Sequence, residues 1–302
     1  MSPGARLRVT ILSGKRDTFS VRRLRAAFRA LGHPVEVVDP FACAVSFDHA
    51  SGQVLRGKTP LETDLVIPRL SARSATPYCL AILRQLEANG AVALNGAGAI
   101  DVARDKLRTL QTLAPLGVPV PRTLVLANRA QLRAALPLIG GLPVVVKLIH
   151  GTQGVGVMIA DSDDSIRTLL DTLWSLRTDT IVQRFVRESR GRDLRAFVVG
   201  DEVVAAMRRT AAPGEFRANL HRGGQALAVE LDEATQRIAV RASRALGLEM
   251  AGVDLIEANE GSLVMEVNSS PSLEGIEKAT GLDIARRITD HATRLVLARR
   301  SR

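Results

Sequence analysis

Apolar positions along this chain fall into two alternating textures. The run Leu7-Arg8-Val9-Thr10-Ile11-Leu12, closed by Ser13-Gly14, predicts a buried strand entering a loop. Over 19–31 the apolar spacing becomes helical and stops at Gly32-His33-Pro34. The strand signal returns over 35–39 and 64–68, and the helical one over 77–89. Strands alternating with helices predict a parallel sheet covered on both faces, in a first α/β lobe over 1–95.

The texture then changes. A helix is expected over 103–116, ended by Gly117-Val118-Pro119-Val120-Pro121, with a strand over 122–126. Val144-Val145-Val146-Lys147-Leu148-Ile149 reads as a strand carrying a lysine, and 157–160 as its return across a glycine-rich turn. A helix over 165–176 and a strand over 180–186 complete a central region, 96–186. The remainder, 187–302, is expected to hold strands over 194–199 and 203–207, then an arginine- and glycine-rich loop over 208–224. A helix over 232–246, paired strands over 252–257 and 262–268, and an amphipathic helix over 284–297 follow.

Composition narrows the chemistry. The chain has 302 residues, 46% apolar and 24% charged, the profile of a folded globular protein. Lys and Arg number 41 against 31 Asp and Glu, a net charge of +10 that favours acidic ligands. Aromatics at 3% argue against a nucleic-acid binder that stacks bases, so no direct nucleic-acid partner is expected. The lysines are Lys15, Lys58, Lys106, Lys147 and Lys278, and a lysine kept in so arginine-rich a chain hints at work that arginine cannot do. Two cysteines, Cys43 and Cys79, exclude a Cys-rich zinc cluster and a disulfide scaffold. No apolar run approaches the ~20 residues of a membrane span, so a cytoplasmic protein without a membrane partner is expected.

Four constellations carry chemistry. In the first, Asp254 within Gly252-Val253-Asp254-Leu255-Ile256 is followed by Glu266 and Asn268 within Val264-Met265-Glu266-Val267-Asn268. Period-two alternation predicts Asp254, Val264, Glu266 and Asn268 on common faces of neighbouring strands. A carboxylate inside an apolar strand is costly unless paired, and this oxygen-rich set suits Mg²⁺. Sheet-edge carboxylates facing solvent are the alternative. The second is Lys147 with Gly151-Thr152-Gln153-Gly154-Val155-Gly156, whose glycines let backbone N–H groups approach phosphate oxygens. A plain hairpin turn explains that run equally well, as a solvated helix face explains Lys106. The third is Gln183-Arg184-Phe185-Val186 with Asp193, where backbone groups of a strand edge meet an adenine and Asp193 accepts ribose hydroxyls; an ordinary amphipathic strand reads the same way. The fourth places Arg217, Asn219 and Arg222 on the glycine-rich loop as a clamp on a phosphoryl group and the carboxylate it activates, against the alternative of solvated loop arginines.

Taken in this order and spacing, these motifs resemble the ATP-grasp superfamily and, within it, the RimK-type glutamate ligases. The likeness runs over about 7–291. Its most specific parts are Ala103-Arg104-Asp105-Lys106-Leu107-Arg108, Val145-Val146-Lys147-Leu148, Phe216-Arg217-Ala218-Asn219-Leu220-His221-Arg222-Gly223-Gly224 and Val264-Met265-Glu266-Val267-Asn268-Ser269-Ser270-Pro271. The resemblance implies an α/β ATP-grasp fold behind an N-terminal pre-ATP-grasp lobe, with 96–186 the linker helix and lid lobe and 187–302 the metal-bearing lobe. It implies ATP phosphates at Lys106 and Lys147, the adenosine at Arg184, Phe185 and Asp193, and further ATP contacts at Arg217, Ala218 and Asn219. Two Mg²⁺ or Mn²⁺ ions are implied, one at Asp254 and Glu266, the other at Glu266 and Asn268. The implied reaction joins L-glutamate to an acidic protein C-terminus, that of a small-subunit ribosomal protein, by a homo-oligomeric enzyme. Another acceptor, or an ATP-binding regulator without turnover, is the alternative. Where such ligases commonly carry Glu-Tyr this chain has Arg184-Phe185, and Met207-Arg208-Arg209-Thr210 shifts the arginine pattern near the acceptor.

Overall fold

Val9–Leu12 form β1, buried at every position, as a continuous apolar run requires of a strand covered on both faces. The computed structural model describes residues 6–49, 51–70, 76–150, 156–215, 218 and 223–301. α1 (Phe19–Ala30) starts at Thr18, whose side chain accepts from the Val21 N–H, and β2 (Val35–Val38) lies parallel to β1. A small antiparallel sheet then intervenes, made of β3 (Cys43–Phe47), β4 (Gly52–Arg56) and β5 (Thr59–Pro60). Its strands are mostly exposed, so they carry little of the apolar alternation that signals a strand. β6 (Leu65–Pro68) returns to the other side of β1, and α2 (Pro77–Ala88) leads to β7 (Val92–Ala93). The sheet order is β2-β1-β6-β7 with every pair parallel, as the alternation predicts.

α3 (Ala97–Ala103) and α4 (Lys106–Leu113) replace the single helix expected over 103–116. Asp105 divides them: its backbone is extended and its side chain accepts from the Leu107 and Arg108 N–H groups. A side chain satisfying those otherwise orphaned donors starts a new helix, with Lys106 at its first position. β8 (Thr123–Leu124), α5 (Arg129–Ala135), β9 (Val144–Leu148), β10 (Val157–Ala160), α6 (Asp163–Ser175) and β11 (Thr180–Arg184) follow. Their antiparallel sheet runs β10-β9-β11-β8 and has a core of its own around Val144, Val146, Ile166, Leu170 and Val182.

The last sheet contains β12 (Arg192–Val199), β13 (Glu202–Thr210), β14 (Gln225–Ala228), β15 (Met250–Ala258) and β16 (Gly261–Asn268), in the order β14-β13-β12-β15-β16. Leu194, Ala196, Ala251 and Val253 face α7 (Glu233–Ala245), sharing a core with its Ala239 and Ala242. The opposite face is divided. At one end Phe197, Val199, Met207 and Met250 join Val9, Ile11, Leu24 and Phe28 of the first lobe in a single core. α8 (Leu273–Thr280) and α9 (Ile284–Arg300) close that core through Ile276, Ile288 and Val296. The other end of the same face carries charge, and the site lies there. No helix among the described residues is long and apolar enough to cross a membrane.

Candidate active site

Cross-strand register assembles the charged end. Asp254 on β15 stands opposite Glu266 on β16, and Gly252 opposite Asn268, so the three predicted metal residues share one face. Val264 does not join them. The register shifts between Asp254 and Leu255, leaving Met265 unpaired, and Val264 turns to the other face and packs beside Leu255. A bulge of one residue inverts everything beyond it in a period-two pattern.

Asp254 is held from three directions. Arg195, opposite it on β12, gives both Nε and Nη2 at 2.6 Å. Arg209 on β13 reaches Oδ2 at 3.1 Å, and the Asn268 amide reaches it at 3.4 Å. Arg209 in turn pairs with Asp193 at 2.6 and 2.7 Å. Asp193, Arg209 and Asp254 are all buried, so the fold keeps an ion network where bare charge would be prohibitive. Burial works against the Asp254 carboxylate, yet Arg195 and Arg209 outweigh it and hold its pKa below the ordinary range. For Asp193 burial dominates and raises it, with Asp254 adding repulsion.

Glu266 is different. It is half-buried, and its side chain makes no hydrogen bond or ion pair among the described residues. It lines a crevice with Lys106, Thr109, Leu113 and Gln183. Lys147 sits inside β9 with 9% exposure, and its ammonium donates to Gln183 Oε1 at 2.6 Å. Gln183 Nε2 donates onward to Thr123 Oγ1 at 2.9 Å, which fixes the amide orientation. The Lys147 pKa is pulled down to about 8, by burial above all and by Lys106, against Glu266 and Asp254, which raise it. Two lysines from the central region and two carboxylates from the last sheet therefore share one electrostatic neighbourhood.

A divalent cation fits this donor set. Among the described residues no three His, Cys, Asp or Glu side chains cluster, so a cation here would have to draw on two carboxylates and an amide oxygen. Mg²⁺ accepts so few protein ligands because waters and phosphate oxygens complete its shell. The half-buried, unpaired Glu266 carboxylate is the group that lacks a cation, and Asp254 Oδ1 is engaged by Arg195 Nε alone.

The remaining predicted residues scatter. Arg184 ends β11 and its guanidinium pairs with Glu260, at the β15–β16 turn, and with Glu188 at 3.7 Å. Phe185, directly after it, is half-buried, and Ala218 is buried. Asp193 lies within the arginine network. Thr152, Gln153, Gly154, Arg217, Asn219 and Arg222 lie outside the described residues. Sequence reasoning assigned no role to Gln183, Arg195, Arg209 or Asn95. Gln183 follows Ile181-Val182 and Arg195 stands between Leu194 and Ala196, polar side chains among buried neighbours that give a sequence signal. Asn95 gave none. It is fully buried and donates to the Met250 and Ser269 carbonyls at 2.7 and 2.8 Å. Its Oδ1 accepts from the Glu249 and Met250 N–H groups at 2.8 and 3.0 Å. One side chain of the first lobe thus ties down the start of β15 and the turn after Asn268.

A parallel α/β lobe, a lysine-bearing antiparallel sheet, and paired-strand carboxylates across a crevice are together the architecture of an ATP-grasp protein. The sequence matches the RimK PreATP-grasp domain over residues 7–100 and the RimK-like ATP-grasp domain over 103–292. The chain belongs to the RimK-like ATP-grasp family. Among its relatives, a probable alpha-L-glutamate ligase 1 of Hahella chejuensis (strain KCTC 2396) is 46% identical over 285 residues, covering 92% of each chain. One of the same description from Shewanella frigidimarina (strain NCIMB 400) is 43% identical over 283 residues, 93% of this chain and 94% of that one. Of solved structures, the ATP-grasp ligase PsnB complexed with a minimal precursor superposes with a TM-score of 0.75 at 21% identity, over 94% of this chain and 97% of that one. A RimK domain ATP-grasp protein from Sphaerobacter thermophilus DSM 20745 gives 0.73 at 24%, over 94% and 98%. The ATP-grasp fold binds ATP, and PsnB has also been solved with Mg and ADP.

Proposed function

We propose that this chain is an ATP-dependent α-L-glutamate ligase that extends the C-terminus of a small-subunit ribosomal protein in the cytoplasm. The observation that carries the reading is the electrostatic coupling of Lys147 to Lys106, Glu266 and Asp254, with Lys106, Glu266 and the Lys147 partner Gln183 lining one crevice. The names of the relatives supply the amino acid.

The reaction activates the acceptor carboxylate with the γ-phosphoryl of ATP. The glutamate amine then attacks the acyl phosphate, an amide C–N bond forms, and phosphate leaves. Lys147 and Lys106 neutralise phosphate oxygens from one wall. Gln183 keeps the Lys147 ammonium in place, as a preorganised cation must be. Asp254, Glu266 and Asn268 stand across from the two lysines, where Asp254 and Glu266 would hold one Mg²⁺ or Mn²⁺, and Glu266 and Asn268 a second. Divalent cations there supply charge neutralisation to the triphosphate. Arg195 and Arg209 fix the Asp254 carboxylate, so its geometry does not depend on occupancy. Arg184, Phe185 and Asp193 belong to the adenosine end. Arg217, Ala218 and Asn219 belong to the triphosphate, with Arg222 on the transferring phosphoryl.

Incubation with ATP, Mg²⁺, glutamate and candidate acceptors, followed by mass spectrometry, tests this. A ladder of glutamyl additions on the ribosomal protein supports it, and an unmodified acceptor with no ADP released overturns it. A second reading, ligation to a different peptide, is favoured by the PsnB structures, solved with a minimal precursor and with a precursor peptide. Labelling of such a peptide in place of the ribosomal protein selects it.

A further inference from the structure

The strand order of the first sheet reverses between β1 and β6: β1 leads to β2 on one side and β6 to β7 on the other. Such a reversal opens a crevice above the strand ends, where open α/β sheets bind ligands. Arg69 directly follows β6 at this point, its backbone N–H donating to the Leu12 carbonyl at 2.9 Å. Its side chain turns toward the last lobe and Nη2 donates to the Pro271 carbonyl at 2.7 Å. Nη1 is shut off from bulk solvent and has no hydrogen-bond partner among the described residues. Arg209, also buried, is answered by two carboxylates, whereas Arg69 has one neutral acceptor. Burial pulls its pKa down to about 10, so at neutral pH it remains a cation. A desolvated guanidinium with a vacant donor is costly to keep, and a bidentate carboxylate is the group that matches its fork.

Pro271 connects this guanidinium to the reaction centre. A Cβ placed on Gly252 would lie 2.8 Å from Pro271 Cβ and 3.7 Å from Arg195 Nε, so the ring and the arginine that holds Asp254 both flank Gly252. The reacting carboxylate must meet the triphosphate at the Lys147 and Glu266 walls. A carboxylate at Arg69 is set back from that point by the Pro271–Gly252–Arg195 chain of contacts, and so belongs to a part of the reactants that is not consumed. Arg69 keeps partial solvent access as a residue.

We propose that Arg69 receives the α-carboxylate of the incoming amino acid and thereby aims its amine at the activated acceptor. This rests on the glutamate-ligase reading above. The test compares glutamate, its α-amide and its γ-amide as substrates of the full chain with ATP, Mg²⁺ and an accepted acceptor, using ADP release and product mass. Wild type is expected to disfavour the α-amide by ~10- to 100-fold in kcat/KM, the worth of a charge-assisted bidentate contact. Arg69→Gln is expected to bring that ratio close to one while the KM for ATP and the thermal midpoint hold. An unchanged α-amide ratio in folded Arg69→Gln, loss of the γ-amide ratio instead, or a wild type indifferent to the α-amide overturns the assignment. Should Arg69→Gln not fold, Arg69→Lys decides: a raised KM for glutamate supports the site, and wild-type KM and ratio overturn it. A wild type that turns over no glutamate fails differently, since it sinks the ligase reading and this site with it.

Discussion

Asp254 faces Glu266 directly across the β15–β16 ladder, yet the two carboxylates are held in opposite ways. Asp254 is pinned by Arg195 and Arg209, whereas the Glu266 carboxylate has no hydrogen-bond or ion-pair partner among the described residues. A pinned acid sets geometry, and an unpaired one supplies charge to a ligand. Glu266→Ala should therefore abolish most ADP release, by ~10²- to 10³-fold, the effect of removing one preorganised charge-stabilising group. Because Glu266 makes no contact on which the sheet depends, the thermal midpoint should stay near wild type. Titrating Mg²⁺ against ADP release checks both points, and wild-type turnover in the variant contradicts the metal assignment.

Lys147 predicts a pH dependence. The native group loses its proton near pH 8, and the unfolded chain near 10.5. Between these values the unfolded state binds more protons, so stability of the ligand-free protein rises with pH. At ~1.4 kcal/mol per pKa unit the gain approaches ~3 kcal/mol, and Lys147→Met should lack it. ATP affinity should move the other way, falling above pH 8 as the ammonium is lost. Denaturant melts and calorimetry across pH 7–10.5 read the two trends.

Arg209 has 3% exposure and lies between Asp193 and Asp254. Arg209→Met leaves two buried carboxylates with too little positive charge, a loss of ~3–5 kcal/mol when one partner of a buried pair is removed. Adding Asp193→Leu should restore part of it. A double-mutant cycle measured by urea unfolding tests the coupling, and strict additivity would show that the three side chains do not act as a unit.

Asn95→Ala strands two N–H groups and two carbonyls at a lobe boundary, at ~1–3 kcal/mol for each group that stays unsatisfied. A total loss near ~4 kcal/mol is expected. Asn95→Asp keeps the acceptor but turns a carboxylate toward the Met250 and Ser269 carbonyls. Burial and that repulsion raise its pKa, so its stability should fall as pH rises from 5 to 8. Unfolding curves at the two pH values distinguish the variants.

The parallel lobe was legible because β1 and β6 are short buried runs, rich in β-branched residues, and α1 and α2 are periodic. The small sheet of β3, β4 and β5 was not, since exposed short strands have no buried face to announce. Asp254, Glu266 and Asn268 shared a face as alternation predicts, while Val264 escaped because a bulge has no signature in composition. The split between α3 and α4 was written in Asp105, whose cap competes with the helical periodicity around it. Arg209 and Asn95 depend on partners 16 or more positions away in the chain, and no local pattern encodes such distances.

Residues as far apart in sequence as Val9 and Val296 are buried in one core, while the sheet bearing Lys147 encloses a core of its own. Prising the outer lobes apart would expose apolar surface from both. The first and last lobes are thus tied through shared apolar packing, and the Lys147 sheet closes around residues that belong to the central region alone.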